Sequence, residues 1–185
     1  MSEQRSPITE QELDGTTTEY FELAVSGDTI ERLMREIFTD HWAGVTVGPI
    51  IQGAAFEIRF SAPPKITMLD GYLTVDTGPW HFHLCVNDHR GAPNVELARI
   101  RRVARAAFFR TVGSKCTPVS FGLRLWNGRG EQMITVFFPN PYYDEAFRRL
   151  KEPDWEKTRV WEDLRQRYAS ERVAIGVGPG EGHKP

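Results

Sequence analysis

The sequence lacks the features that mark several large classes of protein. It holds only two cysteines, Cys85 and Cys116, in 185 residues. Two are too few for a disulfide framework and favour a reducing, cytoplasmic setting. No apolar run approaches the roughly 18 residues of a membrane helix, and the N-terminus has no cationic start followed by an apolar stretch. We therefore expect neither a membrane span nor a signal peptide.

An excess of charge of one sign is also missing. The chain carries 23 Lys and Arg against 25 Asp and Glu, a formal net charge of −2. No overall positive field therefore favours nucleic acid or a membrane surface. Hydrophobic residues make up 40% of the chain and charged residues 26%, which is ordinary for a globular protein and excludes a wholly disordered one.

The distribution of polar and Gly/Pro-rich segments predicts one domain between two loose ends. Residues 1–15 are polar and predict a flexible N-terminal arm. Residues 173–185 include the Gly/Pro-rich stretch GVGPGEGHKP and predict a disordered tail. Residues 16–172 alternate strand and helix patterns without a linker, so we expect a single domain there.

The patterning within that domain predicts an α+β fold, mainly an antiparallel sheet with helices packed on one face. Predicted helices cover residues 29–41, 95–110, 142–151 and 154–169. Predicted strands cover residues 18–25, 55–61, 66–75, 80–86, 121–126 and 132–138. The last four form two hairpins, closed by the turn-forming quartets Asp76–Pro79 and Asn127–Gly130.

The segment GPWHFHLC (78–85) carries the strongest sign of chemistry. Strand side chains alternate between faces, so His81, His83 and Cys85 share one face, opposite an apolar one. All three residue types bind transition metals. Side chains two apart on a strand lie about 6.5–7 Å from each other, so either His81 with His83 or His83 with Cys85 can share one ion. His89 and His41 are candidates to complete the site.

The hairpin brings further polar residues to this face. A register symmetric about Asp76–Pro79 places His81 opposite Thr74, His83 opposite Tyr72 and Cys85 opposite Asp70. Glu57 joins from the preceding strand. If the ion activates a substrate or water, Asp70, Tyr72 and Glu57 are the candidate proton-transfer groups. Polar residues on an exposed sheet face need no function, however, and that simpler interpretation stays open.

Comparison with known families excludes one fold and suggests a resemblance. The cupin barrel also places His-x-His on a strand, but Val75 stands where its motif needs Gly and no second motif follows. The blocks GPWHFHLC, ELARIRRVARAAFFR (96–110) and RLWNGRGEQMITVFFPNP (124–141) resemble an uncharacterised family of small bacterial domains. The resemblance implies a bacterial cytoplasmic setting and no particular activity.

A second signal is the arginine-rich stretch of residues 95–110. Arginine forks onto phosphates and carboxylates, so Arg102 and Arg105 are candidate contacts for an anionic ligand. A solvated helix face is the alternative.

Three hypotheses of function follow. The leading one is a metal-binding protein, either a metalloenzyme or a non-enzymatic one, with iron, zinc or copper held by His81, His83, Cys85 and His89. The second is a non-catalytic module that binds an anionic small molecule or a protein partner. The third is an assembly protein that uses its C-terminal helix.

Overall fold

The computed structural model describes residues 6–12, 15–26, 28–51, 53–113 and 118–169. The helices are α1 (Thr29–Asp40), α2 (Val95–Arg101) and α3 (Arg159–Tyr168), with short 3-10 helices at Trp42–Gly44 and Trp155–Thr158. The strands are β1 (Ile8–Gln11), β2 (Thr17–Glu22), β3 (Thr46–Gly48), β4 (Ile50–Ile51), β5 (Ala54–Ala55), β6 (Ile58–Arg59), β7 (Lys65–Leu69), β8 (Tyr72–Asp76), β9 (His81–Cys85), β10 (Val103–Val112), β11 (Pro118–Asn127) and β12 (Gln132–Phe137). No helix of the described residues is long and apolar enough to cross a membrane.

Three antiparallel sheets organise these strands into one α+β domain. The large sheet has seven strands in the order β1-β2-β10-β11-β12-β3-β6. A small sheet of three strands runs in the order β7-β8-β9, and β4 pairs with β5. The predicted α+β class with a mainly antiparallel sheet is therefore confirmed.

The main core lies between one face of the large sheet, the inner face of the small sheet, and helices α1 and α3. Helix α1 forms as its spacing predicts, and its five apolar residues Ile30, Leu33, Met34, Ile37 and Phe38 are all buried. Helix α2 contributes no buried residue. The prediction that the helices as a group pack on one sheet face is thus not confirmed.

The apolar face of β9 is confirmed as part of this core. Leu84 and Val86 are buried, and Trp80 and Phe82 pack against the same cluster. Phe82 meets Phe38 of α1 edge to face, with ring centroids 5.8 Å apart. This packing fixes the orientation of β9, so its opposite face is the one that carries the two histidines.

The predicted helix over residues 95–110 is wrong beyond its first two turns. Helix α2 ends at Arg101, Arg102 is extended (ψ 148°), and the chain continues as β10. Strand β10 lies between β2 and β11, where four consecutive residues, Ala106–Phe109, are buried on both faces of the sheet. A strand buried on both faces is a continuous apolar run, and its periodicity does not distinguish it from a buried helix.

Four other predicted elements differ. The predicted strand over residues 55–61 is replaced by two short strands in different sheets, β5 paired with β4 and β6 paired with β3. Residues 142–151 form no helix; hydrogen-bonded turns and a bridge between Tyr143 and Arg149 replace it. Within the predicted N-terminal arm, Ile8–Gln11 pairs with β2. The predicted strand over 66–75 is two strands, β7 and β8. The predicted tail and Cys116 lie outside the described residues.

Candidate functional site

The turn between β7 and β8 sets the geometry of the candidate site. Asp70 and Gly71 have φ values of 46° and 82°, and they close a two-residue hairpin between Leu69 and Tyr72. Asp-Gly is a strong signal for this type of turn because both central residues need positive φ. That signal is present in the sequence, and it predicts the turn that the strand prediction missed.

The register of β8 and β9 also differs from the prediction. Tyr72 lies opposite Cys85, Thr74 opposite His83, and Asp76 opposite His81. The loop closes one residue later than expected, because Thr77 donates its backbone N–H to the carbonyl of Trp80. The shift preserves the alternation of faces, so Tyr72 and Cys85 still share the histidine face.

His81 and His83 lie on the exposed part of that face. Both side chains are solvent-exposed, and their ring centroids are 5.0 Å apart. Nδ1 of His83 lies 2.7 Å from the Oγ1 of Thr74 on the neighbouring strand. The two imidazoles are therefore adjacent, and one of them has a hydrogen-bond partner that restrains its ring.

The other end of the same face carries Cys85 and Tyr72, with His89 and Asp70 beside them, and we call it the covered end. Cys85 is buried, and its Sγ lies 3.5 Å from the carbonyl oxygen of Asn87. Burial raises the pKa of the Cys85 thiol, while Tyr72 opposes that shift by hydrogen bonding to it. Burial also raises the pKa of Tyr72. Both groups are thus held protonated, which disfavours a nucleophilic thiolate at this position.

Both ring nitrogens of His89 contact charged side chains at this end of the site. Nε2 lies 3.3 Å from Oδ2 of Asp70, and Nδ1 lies 3.4 Å from Nη1 of Arg101. Arginine can only donate, so Nδ1 accepts from it and Nε2 carries the proton toward Asp70. The ring of His89 also meets Tyr72 edge-on, with centroids 5.0 Å apart. In this arrangement His89 offers no free lone pair to a metal.

Asp70 accepts more than the histidine. Its two carboxylate oxygens accept the backbone N–H groups of Arg90 and Gly91, each at 2.9 Å. Asp70 and Tyr72 therefore lie together beside His89, as the sequence placed them on one surface. Glu57 is not brought to this group; it is exposed and lines a different cavity, next to Arg59.

The four predicted metal ligands fall into two groups. His81 and His83 form an exposed pair, whereas Cys85 and His89 lie at the covered end with their polar atoms engaged. Among the described residues, no three His, Cys, Asp or Glu side chains are placed to hold a metal ion together. A shared site for all four would need His89 to leave both Asp70 and Arg101.

Two adjoining hollows lie beside this covered end. One has a volume of about 520 Å³ and borders the Asp70–Gly71 turn; the other, of about 910 Å³, borders helix α2. Val25, Asp88, Arg90 and Arg102 line both, and we call the combined space the arginine hollow. Arg99 lines its helix side.

Arg102 and Arg105, predicted to act together, are separated. Arg102 lines the arginine hollow and pairs with the exposed Asp88. Arg105 pairs with Glu22 and Glu10 and stacks over Trp126, with its guanidinium carbon 4.2 Å from the ring centroid. Trp126 belongs to a second buried cluster, distinct from the main core. The break between α2 and β10 is what sends the two arginines to different places.

Three residues around the covered end were not among the predicted site residues: the exposed Asp88 and Arg90, and Arg101 of the arginine-rich stretch. The segment Asn87-Asp88-His89-Arg90 follows β9 after one residue, Val86, and polar residues in a loop at a strand end are a general sign of a site. That sign could have drawn attention to Asp88 and Arg90. Only the fold brings Arg101 to His89.

Comparisons with known proteins support the fold and the family. A search of curated proteins finds no match. Protein AGR_C_4470 from Agrobacterium tumefaciens has a similar structure, with a TM-score of 0.52 and 16% identity over 80% of this chain and 71% of that one. At that identity the likeness shows a shared fold alone.

Two further crystal structures are less similar. ChuX gives a TM-score of 0.47 at 12% identity, covering 82% of this chain and 78% of its own. A protein from Erwinia carotovora gives 0.49 at 14% identity, covering 77% and 74%.

The model of a family of unknown function (DUF7676) matches residues 7–170, so the chain belongs to that family. The predicted resemblance to an uncharacterised family is therefore confirmed.

Proposed function

We propose that this member of a family of unknown function binds an anionic small molecule, one bearing a phosphate or carboxylate group, in the arginine hollow. The observation that carries the proposal is that Arg90 and Arg102 line both of the adjoining hollows. Two arginines on one concave surface can grip an anionic group from two directions.

The state of the charges around the hollow supports an incoming anion. Asp70 is already engaged by two backbone N–H groups and His89. Arg102 is paired with Asp88, but the Asp88 side chain is 79% exposed, and exposed ion pairs contribute only about 0–1 kcal/mol. Arg90 and Arg99 form no ion pair within the described part of the chain. An anion can therefore pair with these arginines without breaking a strongly stabilising ion pair.

The test is the affinity of the full chain for inorganic pyrophosphate, measured by isothermal titration calorimetry. We expect Arg102→Gln and Arg90→Gln each to weaken binding about five- to tenfold, since each removes a charge-assisted contact. Arg129→Gln, in the exposed β11–β12 turn, is the matched control and should leave the affinity unchanged. Equal affinities for the Arg102 and Arg129 variants, or no binding by the unmodified chain, would contradict the proposal.

A second candidate function is metal binding by His81 and His83, and the hydrogen bond between Thr74 and His83 favours it. If Nδ1 of His83 donates to Oγ1 of Thr74, its Nε2 lone pair is free for an ion. A partner on the second ring nitrogen is the usual support of a metal-binding histidine. The ion would be iron, zinc or copper, with water completing its coordination. Cys85 and His89 would remain outside this smaller site.

Zinc titration of the full chain tests the second candidate. We expect His81→Ala and His83→Ala each to weaken Zn²⁺ binding at least tenfold, and Thr74→Val to weaken it less. His41→Gln serves as the control histidine, because His41 lies at the C-cap of α1 and does not join His81 and His83 in a three-ligand group within the described residues. Zinc affinity that survives loss of both His81 and His83 would exclude the pair as the site.

A further inference from the structure

A separate cavity of about 770 Å³ lies between the edge of the large sheet and the segment that follows β12. Ring-bearing residues supply much of its wall: Phe121, Phe137, Phe138, Pro139, Tyr143 and Phe147. Arg59 and Lys157 add positive charge to its lining, and Glu57, Asp144 and Glu145 add negative charge. It shares no lining residue with the arginine hollow.

Phe147 adopts a backbone conformation that is costly for its residue type. Its φ is 58°, and its side chain is 65% exposed. The left-handed region costs a non-glycine residue about 1–2 kcal/mol, so glycine is the usual occupant. The turn is enforced by Asp144, whose carboxylate accepts the N–H groups of Ala146 and Arg148. A bulky exposed ring retained in such a position points to a role for the ring itself.

The ring of Phe147 covers the guanidinium of Arg59. The guanidinium carbon lies 4.0 Å from the ring centroid. Nε of Arg59 donates to Oγ1 of Thr46 at 3.4 Å, and within the described residues Arg59 has no carboxylate partner. A guanidinium covered on its face still presents its N–H groups at the edge. Phe147 and Thr46 thus fix the orientation of the Arg59 guanidinium, and its other N–H groups are available to a carboxylate.

Two of the three carboxylates that line the cavity already have a cationic partner: Glu145 pairs with Lys157, and Asp144 pairs with Arg148. Nζ of Lys157 donates to the carbonyl of Tyr143 and lies 3.2 Å from Oε1 of Glu145. The exposed Glu57 stands two residues from Arg59, and no ion pair joins them. Glu57 therefore acts as a nearby negative charge that an entering anion must face.

We infer that this cavity is a second ligand site, for a planar aromatic carboxylate. The carboxylate would pair with the edge of the Arg59 guanidinium, where a bidentate contact fits its geometry. The aromatic body would lie against the ring-bearing wall, with Phe147 and Tyr143 at the opening. The unfavourable backbone conformation of Phe147 is then explained by the position of its ring over Arg59, the residue that binds the carboxylate.

The test uses 1-naphthoate as the probe and follows its binding to the full chain by chemical-shift titration. The largest shifts are expected at Arg59, Phe137 and Phe147. Arg59→Gln should weaken binding at least tenfold, whereas Glu57→Gln should strengthen it about threefold because a repelling charge is removed. Uncharged 1-naphthalenemethanol should bind at least tenfold more weakly, with no response to either substitution.

Phe147→Gly separates binding from folding. Glycine suits the positive φ, so the urea midpoint of the variant should stay the same or rise, while 1-naphthoate affinity falls about tenfold. Arg129→Gln is the control of equal charge change and should bind like the unmodified chain. Shifts confined to other surfaces, or affinities that Arg59→Gln and Glu57→Gln leave unchanged, would overturn the inference.

The experiments test the two proposed ligand sites independently of each other. Arg59→Gln should not alter pyrophosphate affinity, and Arg102→Gln should not alter 1-naphthoate affinity. Shifts from 1-naphthoate at Arg90 and Arg102 instead of Arg59 would assign the aromatic anion to the arginine hollow and reject this cavity as its site.

Discussion

Nε2 of His89 lies 3.3 Å from Oδ2 of Asp70, so a histidine in the loop after β9 is held by the turn between β7 and β8. The same carboxylate accepts the backbone N–H groups of Arg90 and Gly91. These contacts fasten the loop against the turn, and they place Arg90 at the edge of the arginine hollow. The Asp70–His89 pair is therefore an organising contact for the proposed binding surface.

Asp70→Ala should destabilise the protein by about 2–4 kcal/mol. It leaves two N–H groups without their acceptor and places alanine at a positive φ, which together account for that range. Asp70→Asn keeps one acceptor and tolerates the left-handed conformation, so we expect a loss of about 1 kcal/mol. Urea unfolding measures both. The exposed Asp163→Ala should change stability by no more than about 0.5 kcal/mol, and an equal loss there would refute a special role for Asp70.

Gly71→Ala should cost about 3 kcal/mol or more, because a methyl group at this position has no room. A Cβ on Gly71 would come within 2.6 Å of the carbonyl oxygen of Asp88 and 2.7 Å of that of Asn87. Overlap of that size adds to the cost of alanine at positive φ. Gly78 is the matched control: its φ is 89°, but nothing lies within 4 Å.

Gly78→Ala should therefore cost only the conformational part, about 1–2 kcal/mol. Chemical unfolding of the two variants measures the difference. Equal losses would show that the loop after β9 does not lie as close to the turn as described.

Glu36 should make stability depend on pH in the acid range. A hydrogen bond from Arg167 holds the pKa of the Glu36 carboxyl below its usual 4.5, and the hydroxyl of Tyr168 adds to this effect. A lowered pKa stabilises the folded state above pH 4.5, and that contribution is lost as the pH falls through the lower, folded-state value.

Glu36→Gln should remove this dependence. Between pH 5 and 3 the unmodified chain should lose more free energy of unfolding than the variant does, with a difference on the order of 1 kcal/mol because the contacts are partly solvated. Urea unfolding at a series of pH values measures it, and Glu96→Gln provides a comparison on an exposed residue. Parallel pH profiles for Glu36→Gln and the unmodified chain would show that the contact between α1 and α3 contributes nothing.

Trp161→Phe should destabilise the core through one hydrogen bond and one cavity. Trp161 is completely buried, and its Nε1 donates to the carbonyl of Gly122 at 2.9 Å. Phenylalanine removes that hydrogen bond and fills the space incompletely, for an expected loss of about 2–3 kcal/mol. Trp161→Ala should lose about 3–5 kcal/mol. Urea unfolding measures both, and a smaller loss for alanine than for phenylalanine would contradict the packing described.

Sequence patterns predicted the parts of the fold in which one side chain face is apolar and the other polar. The spacing of Leu33, Met34 and Ile37 identifies α1, and the alternation around Phe82 identifies the two faces of β9. The second hairpin, β11 with β12, was predicted by the same alternation and by the Asn-Gly turn. In each case the signal lies within a few neighbouring residues, which is why one sequence is enough to detect it.

The candidate site was predictable only in part, since side-chain chemistry is local but proximity is not. Sequence alone placed Asp70 and Tyr72 on the same surface as Cys85. It gave no reason for Arg101 to approach His89, because that contact depends on how α2 is positioned against the small sheet.

What the sequence by itself determined is the antiparallel α+β character, the helix α1 and the face that carries His81 and His83. Only the tertiary structure decided that residues 103–112 form a strand, and where Arg102 and Arg105 lie. A run buried on both sides fits a helix or a central strand equally well, and the pairing of β10 with β2 and β11 selects the strand. Once that choice is made, Arg102 faces the hollow and Arg105 stacks on Trp126, because local periodicity specifies faces but cannot specify what will cover them.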